Sequence, residues 1–233
     1  MTPPADPDDT PPRPVYDAVV LAGGRATRLG GTAKARLVVD GAQLLDRALA
    51  AGAAARRLVV VGTPDLASDI GGRGLVVQED PPFGGPVAGL AAGLRVLGAP
   101  AAPWVLLLAV DVPRAALAVA ALERAVAHDP AGDGAHLVRA GRAQWLVGLY
   151  RRAALEAALT GVDPDGASMR RLVGALRCAE VPDEAGWSDD VDTPADAARL
   201  GARPADDLGG HDHPGAPGSE PPGSEPPGGT RDG

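Results

Sequence analysis

The stretch LAGGRATRLGGTAK, from Leu21 to Lys34, places four glycines, two arginines and one lysine directly after the apolar run YDAVVLA. Glycines let a backbone come close to a phosphate and present its N–H groups to it. Cationic side chains then neutralise the phosphate charge. Two well-known loops of this type do not fit. A dinucleotide loop needs G-x-G-x-x-G, but Gly23 and Gly24 are adjacent and Arg25 follows. A mononucleotide loop ends in G-K-[ST], but Lys34 stands between Ala33 and Ala35. What remains is G-G-R-x-x-R-x-G-G-x-x-K, with Arg28 and Lys34 able to neutralise a triphosphate. Lys34 is the only lysine among 22 basic residues. A compact ammonium enters a phosphate cluster as a point charge, whereas a guanidinium needs room for its planar fork. The solitary lysine at the end of the loop therefore reads as a phosphate contact.

The surrounding pattern predicts how such a loop is positioned. Apolar runs at 16–22, 57–62, 75–79 and 104–111 read as strands, separated by helical patterns at 42–55, 64–70, 86–98 and 114–128. Two closely spaced strands follow at 135–139 and 143–150, then helices at 151–159, 167–176 and 194–200. Alternating strands and helices imply a three-layer, Rossmann-like α/β fold: a mostly parallel sheet with helices on both faces. Ligands of such sheets bind at the C-terminal strand ends, so the informative loops follow Ala22, Gly62, Glu79 and Val110.

Composition narrows the function. The net charge of -8 divides into -2 over residues 1–14, -4 over 201–233 and -2 between them. A near-neutral domain with 3% aromatic residues does not suit general nucleic-acid binding, which needs a basic face. One cysteine, Cys178, rules out an intrachain disulfide and reads as a small buried or half-buried side chain. No apolar run reaches the roughly 20 residues of a membrane span, and the first residues lack a signal-peptide pattern. The expectation is a soluble, cytoplasmic protein. Proline and acid dominate residues 1–14 and 201–233, which are expected to be disordered and to flank one domain over 15–200. His211 and His213 fall in the second tail and read as solvated.

The loop and three later stretches resemble the nucleotidyltransferase superfamily, and most closely its molybdenum cofactor guanylyltransferases. The three are FGGPVAGL (83–90), LAVDVP (108–113) and DVDTPADAARL (190–200). The likeness runs from about Val15 to Leu200. It implies the nucleotide-diphospho-sugar transferase type of fold, and transfer of GMP from GTP to the terminal phosphate of molybdopterin with release of pyrophosphate. It further implies Mg2+ as cofactor, and Leu21, Ala22, Gly23, Gly24, Lys34, Asp80 and Asp111 as nucleotide-binding residues. Arg28, Lys34 and Asp111 are the expected catalytic residues. Asp111 ends a strand beside the phosphate loop, where a carboxylate repels a nucleotide unless a cation bridges them; the competing reading is a cap on the helix near Arg114. Asp190 and Asp192 stand where the family commonly has asparagines, and this chain has none. They are further metal candidates, with a cap on the helix at Pro194 as the alternative for Asp192. Asp80 has a turn before Pro81–Pro82 as its alternative. Gly62 occupies a place where the family often has Asn, so a side-chain contact to the nucleotide is lost there. Gln144, Trp145, Arg170 and Arg171 are candidates for the acceptor side, with a solvated helix face as the other reading of the arginines.

The double glycine after Leu-Ala, and GGPVAGL, favour GTP by analogy alone. Other functions stay open from these residues: CTP as donor, a sugar phosphate or other small phosphate as acceptor, or a nucleotide-binding protein without catalysis. Joint retention of Lys34 and Asp111 argues against the last. No protein partner and no oligomeric state can be read.

Overall fold

The computed structural model describes residues 12–23 and 34–204. Gly24, Arg28, His211, His213 and most of the two expected tails lie outside these residues. Nine strands and seven helices follow in order: β1 (Tyr16–Leu21), β2 (Val38–Val39), β3 (Ala42–Gln43), α1 (Leu44–Ala51), β4 (Leu58–Val61), α2 (Leu66–Asp69), β5 (Leu75–Val77), α3 (Pro86–Leu97), β6 (Trp104–Ala109), α4 (Ala115–His128), β7 (Gly134–Arg139), β8 (Arg142–Arg151), α5 (Arg152–Thr160), α6 (Met169–Val173), β9 (Cys178–Pro182) and α7 (Pro194–Leu200).

Seven strands form one sheet in the order β5-β4-β1-β6-β8-β7-β9. β5, β4, β1 and β6 are parallel, β8 runs antiparallel to β6 and β7, and β9 lies parallel to β7. The mostly parallel sheet with helices on both faces is the expected architecture. Its central strands read as unbroken apolar runs because both faces are covered. Val20, Leu106 and Leu108 pack with Leu44, Leu45 and Leu122 of α1 and α4. Val19, Val105 and Leu107 pack on the other side with Leu90, Leu155 and Leu172 of α3, α5 and α6. Among the described residues, no helix is long and apolar enough to cross a membrane.

A carboxylate sits in this apolar centre. Asp17 is fully buried in β1. It accepts from Arg57 Nη2 at 3.0 Å and from the Ala102 N–H at 3.1 Å. Buried carboxylates persist only where they are paired and hydrogen-bonded, and this one ties the N-terminal sheet edge to the segment entering β6.

Three local readings differ from the sequence expectation. The helix expected over 42–55 begins at Leu44, because Ala42–Gln43 pair with Val38–Val39 across a turn at Asp40 (φ 47°) and Gly41 (φ 80°). An Asp-Gly pair between apolar residues is a strong hairpin signal, and it outranks the helical spacing here. β9 had no counterpart in the sequence reading. It is a five-residue edge strand ending in proline, whose pairing comes only from β7. Finally, the chain stays paired beyond Leu200: Val38 and Arg203 exchange backbone hydrogen bonds at 2.8 and 3.0 Å.

Helix α3 approaches the sheet closely through glycine. A Cβ at Gly93 would lie 2.9 Å from Val19 Cγ1 and 3.3 Å from Val61 Cγ2. Valine is stiff at χ1 and cannot yield easily. Gly93→Ala is therefore expected to destabilise the protein by about 1–3 kcal/mol, although alanine is the better helix former by about 1 kcal/mol. Denaturant unfolding checks this, and a gain in stability would show that α3 has room to move.

Candidate active site

From β1 the chain goes to β4 and β5 on one side, then returns to β6 on the other. The C-terminal ends of β1 and β6 thus flank a reversal of strand order, where open α/β sheets bind ligands. The Ala22 N–H donates to the Val61 carbonyl at 2.7 Å, and the Val110 N–H to the Leu21 carbonyl at 2.9 Å. These bonds hold Leu21 and Ala22, both half-buried, at a fixed edge from which the exposed Gly23 leads into the glycine loop. Gly24 and Arg28 lie in the part of that loop outside the described residues.

The loop ends at Lys34, the first residue of a 3-10 turn, Lys34–Arg36. Arg36 anchors this turn on Asp65 and Asp69, each at 2.8 Å. The Lys34 ammonium donates to Asp111 Oδ2 at 2.9 Å and also to Asp192 Oδ1. Residues 77 and 158 positions from Lys34 in sequence therefore meet on one cation. Desolvation pulls the Lys34 pKa down, but the charges and hydrogen bonds of Asp111 and Asp192 outweigh it and raise the value above that of an ordinary lysine. The ammonium stays charged at neutral pH, and the stability contributed by its raised pKa is lost as pH rises through that value.

Neither aspartate caps the helix that follows it. Helix α4 is entered at Arg114 without a side-chain cap, so Asp111 does not cap it. Helix α7 is capped by Thr193: its Oγ1 accepts from the Asp196 N–H at 3.1 Å, and Asp196 Oδ2 accepts from the Thr193 N–H at 3.0 Å. Asp192 is thereby left to Lys34. The two segments are stitched together where the Val191 N–H donates to the Asp111 carbonyl at 3.0 Å. Asp190 is exposed, yet its carboxyl is held above the usual range by local desolvation and then by the charges of Asp111 and Asp192.

The 183–192 segment has its own supports. Asp183, 4% exposed, accepts from the Trp187 N–H, the Ser188 N–H and the Ser188 hydroxyl at 2.8, 2.9 and 2.6 Å. Desolvation alone would raise its pKa, but these bonds and Arg139 bring it below the normal value. Asp189 accepts from Arg139 at 2.7 Å and Arg199 at 2.8 Å, tying the segment to β7 and α7.

The remaining expected residues lie further along the same edge. Asp80 is exposed beyond β5. Its neighbour Glu79, unremarked in the sequence reading, is buried, accepts from the Phe83 N–H at 3.0 Å and lies beside Gly23, where a Cβ would sit 3.8 Å from Glu79 Oε1. Only its place at the end of an apolar run could have marked it. A Cβ at Gly62 would lie 2.8 Å from Leu66 Cδ1, so α2 fills the space a side chain there would need. On the other side of Asp111, Gln144 and Trp145 are half-buried, while Arg170 and Arg171 are exposed on α6. Cys178 is half-buried, and its thiol is pushed up to about 11 by burial and then by Asp133, which keeps it protonated at neutral pH.

Residues 18–181 match the MobA-like NTP transferase domain. A molybdenum cofactor guanylyltransferase of Acidiphilium cryptum (strain JF-5) is 34% identical over 184 residues, which cover 77% of this chain and 90% of that protein. Among solved structures, molybdopterin-guanine dinucleotide biosynthesis protein A of Archaeoglobus fulgidus superposes with a TM-score of 0.58 at 20% identity, covering 79% of this chain and 96% of its own. A Mycobacterium tuberculosis H37Rv protein solved in complex with manganese gives 0.58 at 23% identity, over 80% of this chain and 97% of its own.

Two outcomes follow from the geometry. Lys34→Arg is expected to slow turnover about tenfold, part of the 10²–10³ that loss of one charge-stabilising contact costs, with unfolding unchanged; steady-state rates beside a melting curve check it. Asp183→Ala should cost about 1–3 kcal/mol by leaving buried donors unpaired. Because the folded pKa of Asp183 is depressed, its contribution is present above the unfolded carboxylate value and fades as pH falls through the folded one. The difference between parent and variant stability should therefore shrink on acidification, measured by denaturant unfolding across pH.

Proposed function

This chain belongs to the MobA-like NTP transferase family, and on that premise we propose that it transfers GMP from GTP to the terminal phosphate of molybdopterin in the cytoplasm. The name of its Acidiphilium relative supports the donor and the acceptor. The observation that carries the reading is the meeting of Lys34, Asp111 and Asp192 at the strand-order reversal, beside the glycine loop.

The reaction forms one bond and breaks one. An oxygen of the acceptor phosphate attacks the α-phosphorus of GTP, and the bond from that phosphorus to the oxygen bridging the β-phosphate breaks, releasing pyrophosphate. Such a transfer requires two phosphates held in line and their charge neutralised. Gly23, just past the end of β1, offers its backbone to the phosphates. Lys34 supplies a point charge on a turn held by Arg36. Asp80 contacts the nucleotide, with Leu21 and Ala22 supplying backbone at the same edge. Arg28 and Gly24 are assigned to the phosphates by resemblance.

The carboxylates fit a divalent cation. Asp111, Asp190 and Asp192 offer hard oxygen ligands; desolvation first, and then the nearby charges of Asp111 and Asp192, raise the pKa of Asp190. Among the described residues, no three His, Cys, Asp or Glu side chains form a metal cage by themselves. Magnesium is commonly held by one or two carboxylates together with substrate phosphates. Asp111 would hold the ion, with Asp192 or Asp190 beside it, and bound magnesium would neutralise charge on the phosphates during transfer. Manganese in the Mycobacterium tuberculosis homologue's structure is in keeping with a divalent ion.

The test is a panel of GTP, CTP, ATP and UTP with magnesium. A ligand at a hundredfold excess over Kd stabilises the native state by about 2.7 kcal/mol, so GTP is expected to raise the melting temperature most. Labelled GMP should pass to molybdopterin, and Asp111→Asn should lower that rate about 10²–10³-fold. Greater stabilisation and transfer with CTP would make the protein a cytidylyl enzyme, and transfer only to sugar phosphates would overturn the acceptor.

A further inference from the structure

The acceptor side of the edge carries a feature that the transfer reading does not use. Leu108 of β6 pairs with Val147 of β8. The strands are antiparallel, so Leu146, Trp145 and Gln144 run out past the end of β6, alongside the segment that carries Asp111. Across β7 the register jumps: His136 pairs with Gly148, but Leu137 pairs with Gln144. Trp145, Leu146 and Val147 therefore form a bulge. Bulges next to active sites re-aim side chains. This one is pinned from beneath, where the buried Tyr150 hydroxyl donates to the Trp145 carbonyl at 2.8 Å. Gly148 makes room for that ring, since a Cβ there would lie 2.6 Å from Tyr150 Cε2.

The bulge delivers a half-exposed indole against a buried imidazole. The rings of His136 and Trp145 lie 4.3 Å apart between centroids, tilted by 43°. His136 is 3% exposed, and neither of its ring nitrogens has a hydrogen-bond partner among the described residues. Leaving a buried polar group unpaired is unfavourable, and a phenyl ring of similar shape would carry no such penalty. The imidazole is thus retained where its polarity is unused by the protein itself.

We propose that Trp145 and His136 form the acceptor-recognition surface, the indole stacking on a planar heteroaromatic ring of the acceptor and the imidazole hydrogen-bonding to that ring's polar edge once the half-exposed indole shifts to admit it. The pterin class fits this chemistry: it has a flat fused ring for the indole, with alternating donors and acceptors along its edge for the imidazole. The exposed arginines Arg170 and Arg171 lie on α6, a helix that packs against β8, and suit the phosphate the acceptor carries. This inference rests on the proposed pterin acceptor.

Two measurements on the full chain test it. In GMP transfer to molybdopterin, Trp145→Ala should raise the acceptor KM about tenfold or more, as loss of aromatic stacking does for other heteroaromatic ligands, while the KM for GTP stays within about twofold of the parent. Trp145→Phe should recover most of the loss, and His136→Phe, which keeps the ring packing but not the hydrogen bond, should raise the acceptor KM alone. Separately, 6-hydroxymethylpterin should quench tryptophan emission in the parent, and Trp145→Phe should abolish that quenching. An acceptor KM unchanged in Trp145→Ala overturns the stacking surface, and one unchanged in His136→Phe overturns the role of the imidazole. If the parent transfers no GMP to molybdopterin, the acceptor reading fails. The recognition surface then stands if pterin quenching depends on Trp145, and falls if it does not.

Discussion

The ammonium of Lys34, shared between Asp111 and Asp192, is the contact on which the site depends. It joins three segments that the chain makes far apart: the end of the glycine loop, the end of β6 and the lead into α7. Without it, three aspartates would be brought together with only their mutual repulsion, which adds to desolvation in raising the pKa of Asp190. On the proposed reading, the same pairing lets the carboxylates face an incoming nucleotide without expelling it. They arrive already paired with a positive charge, and a divalent ion would extend that pairing to phosphate.

The aspartates can be held this way because the sheet beneath them does not yield. β1 and β6 are buried on both faces and lock their ends through backbone hydrogen bonds between Leu21 and Val110 and between Ala22 and Val61. α3 lies close to this sheet through Gly93. At the opposite edge, Asp17 with Arg57 fixes the start of the same strand. Loop residues then need only short side chains to reach one another, which keeps the cost of ordering them low.

Along the sheet edge the site divides about Asp111. Toward β4 and β5 lie Asp80 and the buried Glu79, which sits beside Gly23. Toward β8 and β7 the sheet turns antiparallel, and a bulge carries Trp145. Gly62 belongs to neither group. Leu66 of α2 occupies the space that a side chain at Gly62 would enter.

Much of this was legible in the chain order. The apolar runs of β1, β4 and β6 name themselves, because a strand buried on both faces needs an unbroken apolar sequence. The glycine loop and its single lysine could be singled out, because phosphate chemistry restricts residue type and spacing. Asp111 was legible as the acid ending a buried strand. What the sequence left open was decided by contacts between distant segments. Whether Asp192 capped the helix at Pro194 depended on Thr193 and Asp196, which form the capping box in its stead. β9 had too few apolar residues to declare itself and exists because β7 offers an edge. Glu79 and His136 look like ordinary polar residues in the sequence, and their burial is set by what packs over them. Sequence determines which residues can form a buried strand or approach a phosphate, since those properties belong to one residue and its near neighbours. Which charges meet, and which polar groups lose water, is decided only in the tertiary structure, because both depend on distances between segments that the chain brings together on folding.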